Sequence, residues 1–316
     1  MTGNTDLKCA LEMNNLKISI VIVNWNGITD TLACINSLLR VSHQNCEIIV
    51  VDNGSRDQSV EKLRNTSNIT LLELPSNLGF PAGSNVGISH ALEKGADYIF
   101  LLNNDTIVHP AVLSDLMNVM ENDFSLGMAG PKIYYLNEPE RIWFAGASID
   151  FETGESPHWG KGDLDVGQYD KTVEVDRLSG CAMMVKADVI KKVGLLDPNY
   201  FLYYEDVDWC VRAGKAGYKI VCVQTAKIWH KESASTKANL GSSLHTYYHL
   251  RNKLLFLRKH SKTSFQAQYR CGKVIVKGAM RFLLGRHQGG RSLDKLRGLA
   301  DFILSRFGKK RVYHKL

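Results

Sequence analysis

Residues 18–53 read ISIVIVNWNGITDTLACINSLLRVSHQNCEIIVVDN. The stretch begins with an apolar run of Ile and Val that ends in polar NWN. It continues as a helical pattern over 28–40 and closes with a second apolar run, EIIVVDN, at 47–53. Short β-branched runs that end in turn-forming residues are typical of buried strands. A strand, a helix and a second strand in this order predict two neighbouring parallel strands.

The same alternation continues to residue 122. Further strands are predicted at ITLLEL (69–74) and DYIFLLNND (97–105), with helical stretches at 57–65, 82–94 and 110–122. We therefore predict an α/β fold with a mainly parallel, doubly wound, Rossmann-like sheet flanked by helices. Ligands of such sheets bind outside the carboxyl ends of the strands. The polar residues expected along that rim are Asn24, Asp52, Asn53, Asn103, Asn104 and Asp105.

The later part of the chain is less regular. Residues 135–177 are rich in Gly, Asp, Trp and Pro, which predicts a loop-rich insertion or hairpin. After it come a strand in VDRLSGCAMMV (175–185), a short helix near 187–193, a helix from about Glu205 to Gly214 and a strand, YKIVCV (218–223), leading to Trp229 and His230. From about Ser243 the pattern is helical and basic.

Composition favours a folded protein that does not cross a membrane. The chain has 316 residues with 44% apolar content, enough for one large core. Its seven cysteines are scattered without a CxxC pair, which favours reduced and packed thiols. The stretch MTGNTDLKCALEMNN lacks the pattern of a secretory signal, and the apolar runs are too short to span a bilayer. We expect a cytoplasmic location.

Charge is divided unevenly along the chain. Residues 241–316 contain 18 Lys and Arg but two acidic residues, a net charge of +16, whereas residues 1–240 carry −9. Arg270, Lys273, Lys277 and Arg281 recur at helical spacing within 265–286, and a second basic amphipathic segment follows at 293–311. These helices either pack on the body or attach to an anionic membrane surface, which we favour. Nucleic acid is not expected, because no binding motif is present.

Several residues are candidates for chemistry, each with a structural alternative. Asp52 either caps the turn DNGSRD or accepts an N–H of a nucleotide base. The segment NLGFPAGSNVG (77–87) is either a tight loop or a cradle for a diphosphate, with Gly79 and Gly83 allowing close approach. Its polar residues Asn77 and Asn85 are further candidates for ligand contacts.

A divalent cation is the second kind of ligand that the sequence suggests. Asn103, Asn104 and Asp105 end a strand, and their oxygens suit a hydrated hard cation, although a turn capped by Asp105 fits equally well. His230 is either a structural histidine or a metal ligand.

The helix at 205–214 presents acidic residues at its start. Glu205 and Asp206 either complement the helix dipole or supply a general base. Val207, Cys210, Val211 and Gly214 predict an inward stripe, and Asp208 can pair with Arg212 on its flank.

Taken together, these segments resemble glycosyltransferase family 2 of the GT-A fold, in its rhamnosyltransferase-like and galactofuranosyltransferase-like branch. The resemblance covers roughly residues 17–255. It runs in order through ISIVIVNWNG, IIVVDNGSRD, NLGFPAGSNVG, YIFLLNNDT, the segment from SGCAMMV to YYEDVDWCVRAGKAGY, and the later WH. Any one of these motifs is weak, but their succession in this order is specific.

The resemblance implies a role for each matching position. Asp52 matches the base-contacting Asp, and Asn103-Asn104-Asp105 matches the DxD site, with Asn in place of the first acid. Asp105 is then the main carboxylate ligand of Mg²⁺ or Mn²⁺, together with His230. Asp206 matches the second acid of the ED motif, the general base of an inverting transfer. Glu205, Trp209 and Trp143 are expected on the acceptor side.

The resemblance also implies the substrates and the domain plan. The donor is a dTDP- or UDP-sugar, with dTDP-rhamnose expected first and UDP-galactofuranose or another UDP-hexose next. The acceptor is a glycan or lipid-linked hydroxyl at the inner membrane face. We expect an N-terminal extension at 1–16, a catalytic domain at 17–242 divided into a nucleotide-sugar half (17–108) and an acceptor half (109–242), and a helical tail at 243–316.

Two other functions are considered. A sugar-nucleotide pyrophosphorylase would need a Gly-rich, Arg-containing loop after the first strand, which VNWNGITD does not provide. A non-catalytic nucleotide-binding protein at the membrane surface is disfavoured by the presence of Asp105, Asp206 and His230.

Overall fold

The computed structural model describes residues 15–231, 241–283 and 292–310. One sheet contains all ten strands. They are β1 (Ile18–Asn24), β2 (Cys46–Asp52), β3 (Thr70–Glu73), β4 (Tyr98–Asn103), β5 (Thr106–Val108), β6 (Leu126–Tyr135), β7 (Glu138–Phe144), β8 (Val173–Glu174), β9 (Ala182–Lys186) and β10 (Lys219–His230).

The helices cover the sheet and form the C-terminal region. They are α1 (Ile28–Leu38), α2 (Ser59–Arg64), α3 (Phe80–Glu93), α4 (Val112–Asn122), α5 (Ala187–Val193), α6 (Glu205–Lys215), α7 (Gly241–His260), α8 (Ser264–Leu283) and α9 (Ser292–Ile303). The predicted N-terminal extension, except for residues 15 and 16, lies outside the described residues, as do residues 232–240, 284–291 and 311–316.

The first half of the sheet has the predicted parallel arrangement. Strands β3, β2, β1 and β4 lie side by side in that order, and every neighbouring pair is parallel. The Ile and Val side chains of β1 and β2, apart from the partly exposed Val23, are buried because helices cover both faces. The register sets Asn24 opposite Asp52, so the polar ends of these strands meet at one rim.

The second half of the sheet is mixed, and the parallel arrangement of the first half does not continue through it. β9 pairs antiparallel with both β4 and β6, and β5 pairs antiparallel with β10. β9 comes after the long insertion, without a crossover helix before it. It therefore enters the sheet from the opposite end. β6 pairs in parallel only with β10. The expected hairpin in the insertion is present, since β7 pairs with β6.

The C-terminal helix α7 packs on the body of the protein that contains the sheet. Leu254, Phe256 and Leu257 of α7 are buried in one cluster with Tyr200, Tyr204 and Val207 of the body. The chain then returns after α9, where Gly308 N–H donates to Asn199 O at 2.8 Å and Lys309 Nζ donates to Asn77 O at 3.2 Å. The region after the boundary predicted at residue 242 therefore packs on the body that precedes it.

Helices α8 and α9 keep apolar side chains at the surface. On α8, Phe265, Tyr269, Val276 and Met280 are 79%, 55%, 58% and 56% exposed, and their spacing puts them within one narrow face of the helix. α9 likewise exposes Leu293, Leu296 and Ile303. In the described part of the chain, none of the helices has the length and apolarity that a transmembrane span requires.

The cysteines follow the expectation from composition. All six cysteines in the described ranges are free thiols, and five of them are buried. Burial raises the pKa of Cys34, Cys210 and Cys222 to about 12, so these thiols stay protonated.

Candidate donor and catalytic site

The rim formed by β1 and β2 is held by hydrogen bonds around Asp52. Asn24 Nδ2 donates to Asp52 Oδ1 at 2.7 Å, and both side chains are buried. The carboxylate also accepts the Ser55 backbone N–H at 2.9 Å and the Ser55 hydroxyl at 2.6 Å. Asp52 therefore shapes the turn after β2. Its predicted contact with a nucleotide base stays a prediction.

Asn53 and Asn77 shape the glycine-rich segment. Asn53 Oδ1 accepts the Leu78 N–H at 2.9 Å, and Asn53 Nδ2 donates to Gly79 O at 3.1 Å. Asn77 Oδ1 accepts the Gly79 N–H at 2.8 Å. Gly79 has φ +90°, and a Cβ there would lie 2.5 Å from Phe201 O, so only glycine fits. A Cβ on Gly83 would meet Asn53 Nδ2 at 3.0 Å.

Asn85 has a structural role in place of the predicted donor contact. Its Nδ2 donates to Leu196 O at 2.8 Å, and its Oδ1 accepts the Leu196 N–H at 3.1 Å. Both polar ends of the side chain are thus engaged with one backbone unit, which ties α3 to the segment after α5.

The Asn103-Asn104-Asp105 segment connects three strands. Asn103 N–H donates to Cys181 O at 2.8 Å, next to β9. Asn104 Nδ2 donates to Thr31 Oγ1 at 2.9 Å, and Thr31 in turn donates to Asn24 Oδ1 at 2.8 Å. The β4 end is therefore linked to the β1 end through one buried hydroxyl, a contact that sequence reasoning did not find.

Asp105 and His230 meet although 125 positions separate them in the sequence. β5 pairs antiparallel with β10, which puts His230 opposite Thr106, the neighbour of Asp105. His230 Nε2 lies 3.2 Å from Asp105 Oδ1, and the two residues are 5% and 7% exposed. Burial alone would lower the pKa of His230, but Cys181 and Asp105 beside it raise that pKa well above its usual value.

This pair fits a divalent cation. Two adjacent ligands at about 2.1 Å from an octahedral cation lie about 3.0 Å apart, close to the observed separation. His230 Nδ1 is buried and has no hydrogen-bond partner within the described ranges. Among those same residues, no group of three or more His, Cys, Asp or Glu side chains is arranged to hold a metal ion. The remaining positions of the cation would fall to phosphate and water oxygens.

Aromatic rings lie against the histidine. The Trp143 ring centroid is 4.7 Å from that of His230 and 4.7 Å from that of His158, both edge-on. Trp143 Nε1 is buried without a partner in the part of the chain described. Trp143 therefore borders the candidate metal site. Whether it contacts the acceptor stays a prediction.

Asp206 lies in the first turn of α6 and is held by three donors. Its Oδ2 accepts the Gly180 N–H at 2.9 Å and an Arg177 N–H at 3.3 Å, and its Oδ1 accepts the Val207 N–H at 2.8 Å. Donors of this kind stabilise the ionised carboxylate. Arg177 is 5% exposed and also donates to Ser156, so the guanidinium is fixed. The sequence offered no signal for Arg177, a lone arginine between strands.

Glu205 is in a different environment from its neighbour. It is 5% exposed, and its Oε2 has no partner in the described part of the chain. Burial, with added repulsion from Asp206 and Asp208, raises the pKa of Glu205 well above its usual value. Glu205 therefore favours the neutral acid, which makes Asp206 the better base of the two.

The other residues of α6 serve the core. Trp209 is 1% exposed and donates its indole N–H to Gly194 O at 2.9 Å. This buried position gives Trp209 a packing role in place of the predicted acceptor contact. Asp208 pairs with Arg212 at 2.8 Å as expected, but Asp208 is fully buried and not on a flank. Lys259 and His260 of α7 also contact it, each at 2.8 Å.

The segment before α6 is strained. Phe201, Tyr203 and Tyr204 have φ values of +64°, +69° and +75°. Bulky residues in this region cost about 1–3 kcal/mol each and persist only when the surroundings hold them. The sequence gives no sign of this conformation, because turns of this type usually contain glycine or asparagine.

Gly180 and Cys181 join the two parts of the site. Gly180 donates its N–H to the carboxylate of Asp206. The next residue, Cys181, accepts the Asn103 N–H with its carbonyl oxygen. The Cys181 thiol adjoins His230. The candidate base and the candidate metal pair are therefore linked through two adjacent residues, Gly180 and Cys181.

Comparison with known proteins identifies relatives of the chain. A sequence model of the family described as Glycosyl transferase family 2 matches residues 19–194. The chain is 28% identical to the dTDP-rhamnosyl transferase RfbF of Shigella flexneri over 255 residues, 78% of this chain and 81% of the relative. It is 26% identical to an N-acetylglucosaminyl-diphospho-decaprenol L-rhamnosyltransferase of Mycobacterium tuberculosis over 247 residues, 71% of this chain and 79% of the relative.

Solved structures share the fold. TarS of S. aureus in complex with UDP-GlcNAc superposes with a TM-score of 0.57 at 16% identity, covering 92% of this chain and 81% of that one. GalNAc-T7 with UDP, GalNAc and Mn²⁺ has a TM-score of 0.58 at 15% identity and covers 83% of this chain and 57% of that one. Because the family model matches more than half of the residues of this chain, the chain belongs to glycosyltransferase family 2.

Proposed function

We propose that the protein transfers a hexose, with inversion, from a nucleotide-diphosphate sugar to a hydroxyl of a glycan or lipid-linked acceptor. One observation carries the proposal. The buried Asp105–His230 pair and the carboxylate of Asp206 are linked through Gly180 and Cys181. Family membership disfavours the pyrophosphorylase alternative.

Asp105 and His230 would hold Mg²⁺ or Mn²⁺. Such a cation, when bound, neutralises the charge that develops on the departing nucleotide diphosphate. Partial support comes from the structure of GalNAc-T7, whose description includes Mn²⁺. Asn103 and Asn104 are partly exposed beside Asp105 and offer amide groups to the phosphates.

Asp206 acts as the general base. Its carboxylate removes the proton from the acceptor hydroxyl while that oxygen forms a bond to the anomeric carbon. The bond from the same carbon to the diphosphate oxygen breaks, and the electron pair leaves with the nucleotide diphosphate. One displacement of this kind inverts the anomeric centre. Gly180 N–H and Arg177 keep the carboxylate oriented.

The donor of first choice is dTDP-rhamnose, because two relatives are named as rhamnosyltransferases, one of them for the dTDP sugar. A UDP-hexose is the second choice. A thermal-shift screen with each nucleotide sugar and Mn²⁺ or Mg²⁺ tests this, since a ligand at 100 times its Kd stabilises the folded state by about 2.7 kcal/mol. Transfer of labelled sugar to a lipid-linked acceptor must follow. Binding without transfer across a broad acceptor panel would favour the non-catalytic alternative.

The acceptor surface is an anionic membrane, approached from the cytoplasmic face. The exposed apolar residues of α8 lie beside Lys273 and Lys277, which are also exposed. An apolar face bordered by lysines suits the boundary between head groups and acyl chains. Attachment there would bring the active site to a lipid-linked acceptor.

A further inference from the structure

Asn252, on α7, contacts the strained segment before α6. Its Nδ2 donates to the carbonyl oxygens of Tyr200, Leu202 and Tyr203 at 2.9, 2.7 and 2.8 Å. One amide nitrogen thus lies within hydrogen-bond distance of three carbonyl oxygens in a stretch of four residues. Asn252 is itself fully buried.

Arg251 orients this amide and adds two contacts. Its Nε donates to Asn252 Oδ1 at 2.9 Å, which directs Nδ2 toward the carbonyls. Its guanidinium also donates to the carbonyl oxygens of Asn199 and Tyr200 at 3.0 and 2.8 Å. Arg251 is itself fully buried. The two adjacent residues together bind almost every carbonyl from Asn199 to Tyr203.

Arg251 is in turn fixed from its other side. It donates to Gly308 O at 2.7 Å, and its guanidinium stacks 4.9 Å from the ring centroid of Tyr248. Tyr248 also stacks on Phe201 at 5.3 Å. The position of the arginine therefore depends on the returning C-terminal residues as well as on α7.

The segment from Asn199 to Tyr203, which these residues hold, connects to the candidate site in two places. Phe201 O accepts the Phe80 N–H at 2.8 Å, at the start of α3 beside Gly79. Tyr204, the residue before α6, directly precedes Glu205 and Asp206. A shift of the segment would therefore move the first turn of α6 relative to the glycine-rich loop.

We propose that Arg251 and Asn252 are positioning residues for the reaction: they hold the backbone from Asn199 to Tyr203 in its strained form and thereby fix the carboxylate of Asp206. This inference rests on the proposed role of Asp206 as the base. Arg251 and Asn252 then act on the reaction from helix α7, although neither side chain contacts the reacting atoms.

The test compares kcat and donor affinity in the full-length protein. Asn252→Ala removes the three donations, and we expect kcat to fall by about 10- to 100-fold, because small misplacements of a reacting group have effects of this size. Donor Kd, measured by titration calorimetry, should change less than about threefold. Arg251→Lys keeps the positive charge but loses the planar guanidinium with its several N–H donors, and it should also lower kcat.

A matched control is available on the same helix. Arg258→Gln removes a guanidinium that donates to Ser305 Oγ at 3.3 Å and lies over the Phe302 ring, and it leaves the donations of Arg251 and Asn252 in place. It should leave kcat within about twofold at temperatures where circular dichroism shows a folded protein. Equal loss of kcat in Arg258→Gln and Asn252→Ala would overturn the proposal, because α7 would then act through stability alone.

A double-mutant comparison isolates the coupling to Asp206. Adding Asn252→Ala to Asp206→Asn should lower the single-turnover rate by less than about threefold relative to Asp206→Asn alone. The reason is that Asn252 acts through the Asp206 carboxylate, which the first substitution has already removed. Additive losses in both backgrounds, or unchanged kcat in folded Asn252→Ala, contradict the inference. If Asn252→Ala does not fold, Arg251→Lys decides by the same criteria. Normal turnover of Asp206→Asn would instead reject the proposed base.

Discussion

His230 Nε2 and Asp105 Oδ1 are 3.2 Å apart because the antiparallel pairing of β5 with β10 brings the two residues together. Neither side chain has freedom to move away, since both are buried. The rigid sheet therefore sets the separation that one cation would need from two ligands.

The first prediction concerns this pair. Asp105→Asn should weaken Mn²⁺ binding in the presence of a nucleotide diphosphate by at least about tenfold, because an amide is a poorer ligand than a carboxylate. Titration calorimetry with Mn²⁺ measures the change. The exposed carboxyl of Asp123, bonded to Ser125, provides the control Asp123→Asn, which should bind Mn²⁺ normally. Full transfer activity in EDTA would refute the metal proposal.

The second prediction concerns the base. Asp206→Asn preserves the shape of the side chain but cannot accept the acceptor proton. Turnover should fall by at least about a hundredfold while donor Kd changes little. Asp188→Asn is a matched control, because Asp188 also lies in the first turn of a helix but is exposed. Near-normal turnover of Asp206→Asn would direct attention to Glu205.

The third prediction concerns the exposed face of α8. Replacing Phe265, Val276 and Met280 together by Ser should reduce co-sedimentation with anionic vesicles, and high salt should release the native protein, because each lysine near such a surface contributes about 1 kcal/mol. Phe124→Ser is the control, since Phe124 is 83% exposed but lies before β6. Ending the chain near Ser261 should abolish binding. Equal sedimentation of all variants at low salt would exclude this face.

The fourth prediction concerns Gly79. Gly79→Ala adds a Cβ 2.5 Å from Phe201 O at φ +90°, so the free energy of unfolding should fall by at least about 2 kcal/mol and donor affinity should fall with it. Urea unfolding measures the first effect. Gly95→Ala is the control, because Gly95 also has positive φ but no atom within 4 Å of the added Cβ. The hypothesis fails if both variants lose the same stability.

The fifth prediction concerns pH. Burial, followed by the charge of Lys253, lowers the pKa of His249 to about 4. Between about pH 6.5 and pH 4 the unfolded chain then binds a proton that the native protein does not, so stability falls as pH falls, by at most about 1.4 kcal/mol per pH unit. His249→Gln should flatten this part of the curve. Parallel stability curves for the two proteins would disprove the assignment.

Much of the fold could be predicted because local patterns determine it. The Ile- and Val-rich runs of β1, β2 and β4 end in polar residues, and their structure matches the prediction closely. β6 escaped prediction because LGMAGPKIYY contains two glycines and a proline, which are unusual in strands. The antiparallel β9 escaped because strand direction depends on where the insertion returns to the sheet.

The site was less predictable, because its contacts join distant parts of the chain. Asp105 and His230 became a pair only through family resemblance, since no local spacing relates them. Trp209 was misassigned because helical periodicity put it outside the inward stripe, whereas α6 is buried on nearly all sides. Arg177 and Asn252 carry no local pattern at all. Their partners are decided by tertiary packing.

Strand β9 has a consequence for synthesis of the protein on the ribosome. β4 ends at Asn103, but its antiparallel neighbour β9 begins at Ala182, about 80 residues later. At about 5–20 residues per second, the apolar edge of β4 stays unpaired for roughly 4–16 seconds while the insertion is translated. An edge of this composition is a template for aggregation. The nascent chain therefore exposes this edge between the completion of β4 and the arrival of β9.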